Sequence, residues 1–382
     1  RLHRANGLDL DAMPVELERW NSFSMVTVTG GVPFTGWSPS PAYVGRPLAQ
    51  KAVLIDLHAL TPLVAFDGDP ATARPVLWDL SSFVHLVRPP GGEVCVIGAG
   101  AGRDVLAALA AGARRVTSVE INPLIVEDVV RGAFRKYAGG LYDRPDVRVV
   151  VDDGRAFVRG TSDSFDLIHL SMVDTSAATG AGAYALTENG LYTLEAFRDY
   201  LSRLRPGGML SVASISTKEL DGGGRLAALV RRAVEDSGGD PRRSIAVVSG
   251  RWLGRSGAIL HNVLVKRGGF TEEEADRIRA TARQLRFTAT WIPGDGPEAV
   301  RGSVGAILGA PDAGAVDRLL AASPLDLCPP TDDRPFFFYQ NRWSDAFDLL
   351  TAGRPLHFFG NGLFVLVRLA LISLVMVAAF IV

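Results

Sequence analysis

Cysteine is scarce in this chain, and the scarcity excludes two ways of stabilising a protein. Among 382 residues there are two cysteines, Cys95 and Cys328, and neither has CxxC spacing around it. The six histidines are scattered rather than grouped. Disulfide frameworks and structural zinc sites both need closely spaced Cys or Cys/His sets. We therefore expect no disulfide framework and no metal centre.

The chain also lacks an excess of charge of either sign. It has 40 basic and 41 acidic side chains, a net charge of −1, and no run of five like charges. Proteins that bind nucleic acids usually concentrate positive charge, so we expect no nucleic-acid partner. Hydrophobic residues make up 47% of the sequence and charged residues 21%, which is sufficient for one large domain or for two domains with packed cores.

One long hydrophobic run stands at the end of the chain. Residues 363–382, LFVLVRLALISLVMVAAFIV, are apolar apart from one arginine and one serine. Twenty such residues are enough to span a bilayer, which predicts a transmembrane helix over 362–382; a buried terminal helix is the alternative. Arg354, His357 and Arg368 lie on the N-terminal side of the helix. The positive-inside tendency therefore predicts a cell-membrane protein whose catalytic domain is cytoplasmic.

Strands and helices alternate through the middle of the chain. Apolar runs typical of buried strands occur at 94–97, 115–120, 147–151, 165–170 and 208–215, and helical patterns lie between them at 103–111, 123–137, 154–159 and 193–204. This alternation predicts an α/β fold with a doubly wound, mostly parallel sheet. The runs SIAVVSG and AILHNVLVKRG predict an antiparallel hairpin on the sheet edge. Short strands over 20–66 predict a small β-rich N-terminal unit.

The stretch VCVIGAGAGRDV, residues 94–105, runs from a strand into a glycine-rich turn. Gly98, Gly100 and Gly102 form GxGxG, and Arg103 stands where a dinucleotide-binding fingerprint has its third glycine. That fingerprint holds a pyrophosphate, which S-adenosylmethionine does not have. The pattern therefore favours an adenosyl-sulfonium ligand over NAD, with tight packing of a strand-to-helix turn as the alternative.

Acidic residues follow at the ends of the next two strands. In SVEINP, Glu120 ends the second strand, where a carboxylate can accept both ribose hydroxyl protons, and Ile121 comes next. In VVVDDGRAF, Asp153 and Gly154 close the third strand, where an acceptor can take the adenine amino proton; Asp152 is a second candidate. Together with the glycines, these residues predict a pocket for S-adenosylmethionine or its decarboxylated form.

Four stretches together resemble the spermidine synthase group of the Rossmann-like methyltransferase fold. They are VCVIGAGAG, SVEINP, VVDDGRAF and the segment from FDLIHL to LRPGGML. WNSFSMVTV near the start and TDDRPFFF near the end are similar to a membrane-embedded bacterial subgroup. The resemblance covers about residues 20–345. It implies a polyamine aminopropyltransferase, an enzyme that uses decarboxylated S-adenosylmethionine.

Two departures from the family pattern concern catalysis. Family members usually carry an Asp between the second and third glycines, where this chain has Ala101. They also carry a D-S-S-D-P-like motif after the fourth strand, and its first Asp helps to take the proton from the attacking amine. The matching run here is SMVDT, in which Ser171 replaces that Asp and Asp174 matches the second one. We expect Asp174 to hold the acceptor and receive its proton; a loop-capping Asp is the alternative.

Two more side chains have alternative roles. Arg103 either pairs with the carboxylate of intact S-adenosylmethionine or faces solvent on the helix. His85 either lines the acceptor site or is a buried structural histidine. The segment that contains TDDRPFFF, residues 331–343, is expected to dock on the α/β domain.

These observations predict a membrane-anchored transferase that moves an aminopropyl group to an amine. The alternatives are a methyltransferase that acts on a membrane-associated or small-molecule acceptor, and a non-catalytic adenosyl-ligand sensing domain of a membrane protein. The expected partners are a small-molecule acceptor, the lipid bilayer and a second copy of the chain in a homodimer. Because the sequence begins at Arg1 without a methionine, we expect a piece of a longer protein.

The predicted domains follow from the same patterns. They are a β-rich N-terminal unit at 1–88, an S-adenosylmethionine-type α/β domain at 89–270, a C-terminal helix and docking segment at 271–345, and the transmembrane helix at 362–382.

Overall fold

The fold contains a large mixed sheet and a smaller antiparallel one. The computed structural model describes residues 4–5, 8–9, 14–31, 36–57, 59–173, 188–217, 220–253, 257–296, 302–342 and 369–378. Near the start, Arg4–Ala5 pairs with Leu8–Asp9 in a short antiparallel ribbon.

The smaller sheet is a four-stranded antiparallel meander at the N-terminal end. Its strands are β1 (Val15–Trp20), β2 (Met25–Thr29), β3 (Gln50–Ile55) and β4 (Ala59–Val64), paired in sequence order. β-branched and aliphatic residues dominate β2 and β3, as expected for strands with a buried face. The sheet is followed by 3₁₀ helices at Pro70–Trp78 and Leu80–Ser82 and by the one-turn helix α1 (Val84–Val87).

The large sheet has eight strands. They are β5 (Glu93–Ile97), β6 (Arg115–Glu120), β7 (Val147–Val151), β8 (Phe165–Leu170), β9 (Leu204–Ser216), β10 (Ile245–Arg251), β11 (Ile259–Lys266) and β12 (Thr288–Trp291), in the spatial order β12-β10-β11-β9-β8-β5-β6-β7. The five adjacent strands β7, β6, β5, β8 and β9 are parallel to one another. The strand β11 runs antiparallel to both of its neighbours, β9 and β10. The predicted doubly wound, mostly parallel sheet of a Rossmann-like α/β fold is confirmed.

Crossover helices cover both faces of this sheet. They are α2 (Arg103–Ala110), the π-type helix α3 (Leu124–Ala133), α4 (Gly154–Gly160), α5 (Leu194–Ser202) and α6 (Gly222–Asp236), followed by α7 (Pro241–Ser244), α8 (Glu272–Gln284), α9 (Gly302–Gly309) and α10 (Ala313–Ala322). A 3₁₀ turn precedes β7 at Leu141–Asp143, and another precedes α5 at Gly190–Tyr192.

Alternate residues of the central strands supply two hydrophobic cores. Val94 and Val96 of β5 pack with the N-terminal sheet, α1, α2 and α3 on one face. Cys95 and Ile97 pack with α4, α5, α6 and α9 on the other face. Because both faces are covered, β5 reads as a continuous apolar run, which is what made it visible in the sequence.

Two details beyond β9 differ from the predictions. The predicted hairpin of β10 and β11 forms, but it does not lie on the sheet edge, because β12 pairs with the outer side of β10. The strand β12 and the helices α9 and α10 were not predicted. Within the segment over 331–343, Phe337 is buried in the core and Asp332 is paired with Arg155 of α4.

The prediction of a C-terminal transmembrane helix is wrong. In this region the described residues 369–378 are helical. Across all the described ranges, no helix is both long enough and apolar enough to cross a membrane. The expected cell-membrane location, with a cytoplasmic catalytic domain and the bilayer as a partner, is corrected with it.

Candidate active site

The carboxyl ends of the parallel strands bring the predicted donor-binding residues to one edge of the sheet. Ile97 at the end of β5 is paired with Val119 of β6 on one side and with Leu170 of β8 on the other. The residues that come next along these strands are Gly98, Glu120 and Ser171. Strand order runs in opposite directions on the two sides of β5, and such a switch point is where open α/β sheets bind ligands.

The glycine loop that follows β5 is closely covered by its neighbours. Gly98, Gly100 and Gly102 have φ values of +68°, +53° and +93°, a conformation that favours glycine. A methyl group on Gly100 would lie 2.2 Å from the Thr61 hydroxyl of β4. That hydroxyl also accepts a hydrogen bond from the Ala101 N–H at 3.0 Å. The N-terminal sheet therefore helps to shape the loop.

Glu120 connects the loop to the strand ends. It is 5% exposed, and its two carboxylate oxygens accept hydrogen bonds from the backbone N–H groups of Gly100 at 2.7 Å and Asn122 at 2.9 Å. Burial raises the pKa of Glu120, while these backbone hydrogen bonds act in the opposite direction. Each oxygen keeps lone-pair capacity, so the carboxylate can also accept the two hydroxyl groups of a ribose.

The donor-binding candidate Ile121 and the acids predicted to take the adenine amino proton lie next to Glu120. Ile121 is 57% exposed, so its side chain is available to pack against a base. Asp153 caps helix α4, and one of its oxygens accepts hydrogen bonds from the N–H groups of Arg155 at 3.0 Å and Ala156 at 2.8 Å. Asp152 is exposed and accepts a hydrogen bond from the N–H of Asp153. The cap uses one oxygen of Asp153, so both acids remain candidates for the adenine amino group.

Gly154 is required by packing. A methyl group at this position would lie 2.3 Å from the Ile97 side chain at the end of β5. Glycine therefore lets the first turn of α4 approach the strand that supplies the glycine loop.

Sequence reasoning did not identify Asn122 and Tyr142. Asn122 accepts a hydrogen bond from the Asn21 side chain at 3.0 Å and donates one to the Ser24 hydroxyl at 2.9 Å. It thereby ties the β1–β2 turn to the strand end. Tyr142 donates a hydrogen bond to the Gly100 carbonyl at 2.6 Å, and burial raises its pKa. The pair Asn-Pro after SVEI was the one sequence signal for a structured turn here.

One of the two predicted catalytic residues lies within the described part of the chain. Ser171 is buried immediately after β8, and its hydroxyl has no hydrogen-bond partner within the described ranges. Asp174 lies outside the described residues.

The solvent-facing alternative for Arg103 is wrong. Its guanidinium is buried, with Nη2 3.6 Å from an oxygen of Asp79 and Nη1 3.8 Å from an oxygen of Asp104. It also donates a hydrogen bond to the Ser81 hydroxyl at 3.2 Å. The arginine is therefore committed to two carboxylates behind the loop. His85 is buried as well, stacked on the ring of His169.

In the part of the chain that the structure describes, no group of three His, Cys, Asp or Glu side chains is arranged to hold a metal ion.

Known proteins are similar to this part of the chain. The family model of the spermine/spermidine synthase domain matches residues 79–219. Polyamine aminopropyltransferase 2 of Pseudomonas aeruginosa is 26% identical over 191 residues, which are 47% of this chain and 50% of that protein. The polyamine aminopropyltransferase of Thermoplasma volcanium is 27% identical over 166 residues, 42% of this chain and 57% of that protein. The crystal structure of spermidine synthase from Thermotoga maritima is 14% identical and covers 81% of this chain and 88% of its own, with a TM-score of 0.46.

Residues 79–219 are therefore similar to the spermine/spermidine synthase domain. The curated relatives are polyamine aminopropyltransferases, and the chain spans about half the length of those that it matches. The expected resemblance to the family is confirmed over this region. Membership of the membrane-embedded subgroup has no support from these relatives.

Proposed function

We propose that this chain binds decarboxylated S-adenosylmethionine and transfers its aminopropyl group to an amine. The observation that carries the proposal is the buried Glu120 carboxylate, which lies at the switch point and is bonded to the glycine loop. The similarity to polyamine aminopropyltransferases supports the same reaction.

The donor would lie along the carboxyl edge of the sheet. Glu120 accepts the ribose hydroxyls, and Ile121 packs against the adenine. Asp153 with Gly154, or Asp152, receives the adenine amino group. The backbone of Gly98, Gly100 and Gly102 approaches the sulfonium and its aminopropyl arm, a group that needs no pyrophosphate-binding turn.

The surroundings of Arg103 favour the decarboxylated donor. Intact S-adenosylmethionine carries a carboxylate on its amino-acid arm, and a cation near the loop would be needed to recognise it. Asp79 and Asp104 both lie within 4 Å of the Arg103 guanidinium. Its positive charge is therefore already compensated, and the aminopropyl arm has no carboxylate to pair.

On the acceptor side we propose that the negatively charged Asp174 holds the amine through the positive charge of the amine. Ser171 lies beside the reacting carbon at the end of β8. An amine must lose a proton before or during attack on carbon, so the acceptor site needs a group that receives it. The acceptor itself is proposed to be a small amine.

A methyltransferase is the second candidate, and Ala101 is the observation that favours it. Ala101 is buried in the loop at the position where the aminopropyltransferases usually have an Asp. The loop therefore lacks a side chain that is typical of that family.

The division of residues 1–345 into three parts, at 1–88, 89–270 and 271–345, and a homodimer also remain proposals. The first predicts that the segment over 271–345 and the α/β domain unfold together, because Asp332 and Phe337 are anchored on α4 and in the core. Hydrogen exchange of the whole chain would test this, and sedimentation would test the dimer.

The function is tested by calorimetry of the protein with each donor, followed by mass spectrometry of products formed from a panel of primary amines. We expect tighter binding of the decarboxylated donor and products that gain an aminopropyl group. Methylated products would favour the second candidate. Donor binding without any product would favour the sensing domain, and no binding of either donor would contradict all three.

A further inference from the structure

The N-terminal sheet reaches the donor site at two points, one on each side of Glu120. On the loop side, the Thr61 hydroxyl of β4 accepts a hydrogen bond from the Ala101 N–H at 3.0 Å. On the other side, the β1–β2 turn is bonded to the side chain of Asn122. Glu120 lies between these two points, because its carboxylate accepts the N–H groups of Gly100 and Asn122. A chain of hydrogen bonds and adjacent residues therefore runs from β4 through Glu120 to the β1–β2 turn.

The side chain of Asn122 is held on both of its polar atoms. Its oxygen accepts hydrogen bonds from the Asn21 side chain at 3.0 Å and from the Leu124 N–H at 3.2 Å. Its nitrogen donates one to the Ser24 hydroxyl at 2.9 Å. Asn122 is 2% exposed, so bulk water would not replace a lost partner. The side chain therefore fixes the backbone N–H of the same residue, and this N–H is the group that bonds to Glu120.

The β1–β2 turn presents these partners in a preformed arrangement. The side-chain oxygen of Asn21 accepts hydrogen bonds from the N–H groups of Phe23 at 3.1 Å and Ser24 at 2.8 Å, and from the Ser24 hydroxyl at 3.1 Å. The side-chain nitrogen of Asn21 is the donor to Asn122. Asn21 thus closes the turn with one atom and binds the strand end with the other.

The same contacts determine which side chain faces outward after β6. Glu120 and Asn122 are almost completely buried, whereas Ile121 between them is mostly exposed. Both ends of this short segment are therefore fixed, and the apolar side chain in the middle stays available to the adenine of a donor.

Cohesion between the two sheets does not require these polar contacts. Val28 and Val53 of the N-terminal sheet belong to the same hydrophobic core as Val96 of β5. Burying polar groups has a desolvation cost, which apolar packing avoids. Hydrogen bonds, however, fix atoms in direction as well as in distance. Their position on both sides of Glu120 therefore points to orientation of its carboxylate.

We infer that Asn122 and Thr61 are positioning residues for Glu120, and that the N-terminal sheet acts through them to set the affinity of this site for the ribose of an adenosyl ligand. The inference rests on the proposed donor site. Asn122 holds one carboxylate oxygen through its N–H, and Thr61 holds the loop whose Gly100 N–H binds the other oxygen. The remaining lone pairs are then directed before the ribose arrives, which lowers the entropic cost of binding.

The test is calorimetric titration of the whole chain with 5′-methylthioadenosine, the nucleoside product of the proposed transfer, at a temperature where every variant is folded. We expect Asn122→Leu, a change of similar size, to raise the Kd about tenfold, as for one lost hydrogen bond. Thr61→Val keeps the shape of the side chain and removes the hydroxyl, so it should raise the Kd at least threefold. Thr27→Val is the matched control. Thr27 is buried on β2, its hydroxyl has no partner among the described residues, and its Kd should stay within twofold of the wild type.

A double-mutant cycle with Glu120→Gln distinguishes positioning from a loss of stability. If Asn122 acts through Glu120, its side chain has little left to orient once the carboxylate is gone. The double variant Glu120→Gln/Asn122→Leu should then bind within about threefold of Glu120→Gln alone. Independent structural damage would instead multiply the two effects and weaken binding by a further factor of about ten.

The other outcomes overturn the inference. They are a Kd within twofold of the wild type for both Asn122→Leu and Thr61→Val, an equal loss of affinity in Thr27→Val and Thr61→Val, and multiplied effects in the cycle. If Asn122→Leu does not fold, Ser24→Ala takes its place, because it removes the hydroxyl that accepts from Asn122. A rise in Kd of at least threefold then supports the inference, and a smaller one overturns it. A wild type that binds no adenosyl ligand overturns the proposed function as well, whereas unchanged variants of a protein that binds overturn the positioning role alone.

Discussion

Replacing Glu120 by Gln tests the donor site with a change of one atom. The carboxylate accepts one backbone N–H on each oxygen, from Gly100 at 2.7 Å and from Asn122 at 2.9 Å. In the variant, an amide NH₂ must face one of these N–H groups, so the remaining oxygen cannot serve both the loop and a ribose. A lost hydrogen bond to a charged acceptor costs about 1.5–3 kcal/mol. The Kd for an adenosyl donor should therefore rise roughly 10- to 150-fold.

Stability should change less than affinity in this variant. Burial penalises the Glu120 carboxylate, as its raised pKa shows, so removing the charge offsets part of the lost hydrogen bonding. Isothermal calorimetry with decarboxylated S-adenosylmethionine measures the affinity, and thermal unfolding measures the stability. Glu127→Gln is the matched control, because Glu127 is half-exposed on α3 and pairs with Arg131. A Glu120→Gln protein that binds the donor within twofold of the wild type would refute the reasoning.

Three further predictions concern stability. Gly100→Ala should lower the melting temperature and abolish donor binding. The control Gly140→Ala is at a position with a similar positive φ but with open space around it, so it should lower the free energy of unfolding by only about 1 kcal/mol. Equal losses of stability in the two variants would contradict the close contact between Gly100 and β4. Arg225→Met should leave the backbone carbonyls that Arg225 binds in 328–339 without their donor, and hydrogen exchange in that segment should increase. Arg232→Met, on the exposed face of α6, is the control and should leave exchange there unchanged. Equal exchange in the two variants would contradict the role of Arg225. Burial lowers the pKa of His261 to about 4, below its unfolded value of 6.5. The folded state therefore resists protonation of His261, and the free energy of unfolding should be about 2 kcal/mol lower at pH 5 than well above pH 6.5. The free energy of unfolding of His261→Gln, measured by denaturation at both pH values, should not show this decrease at pH 5. A pH dependence equal to that of the wild type would contradict the prediction.

Periodicity predicted the central fold well because β5, β6, β8 and β9 are largely buried on both faces. Their apolar runs have few polar interruptions, and the turns between them are rich in glycine and proline. After α8 the signal fails. β12 has four residues, and α9 includes three glycines within Gly302–Gly309, so neither gives a pattern of sufficient length.

The site was predictable where it depends on strand order and not where it depends on tertiary contacts. Glu120 and the glycines could be located because their places follow from successive parallel strands. Thr61 and Asn122 could not, because their partners lie 40 and 98 residues away, respectively. Arg103 was assigned to ligand or solvent for the same reason. Its buried partner Asp79 lies between two 3₁₀ helices earlier in the chain, and no motif connects it to the loop.

The terminal hydrophobic run shows the limit of composition. The run over 363–382 satisfies the length requirement of a transmembrane helix on paper, but the part of the chain that the structure describes contains no helix long and apolar enough to cross a membrane. Hydropathy measures the preference of side chains for an apolar environment and does not establish that the backbone is helical over the full span.

The central claim is that Glu120 holds the ribose of an adenosyl donor at the carboxyl edge of the sheet. A crystal structure with 5′-methylthioadenosine, the thioether left after aminopropyl transfer, tests it most directly. We predict that both ribose hydroxyls lie within hydrogen-bond distance of the Glu120 carboxylate and that the adenine packs against Ile121. A nucleoside bound elsewhere, with no contact between its ribose and Glu120, would contradict the account.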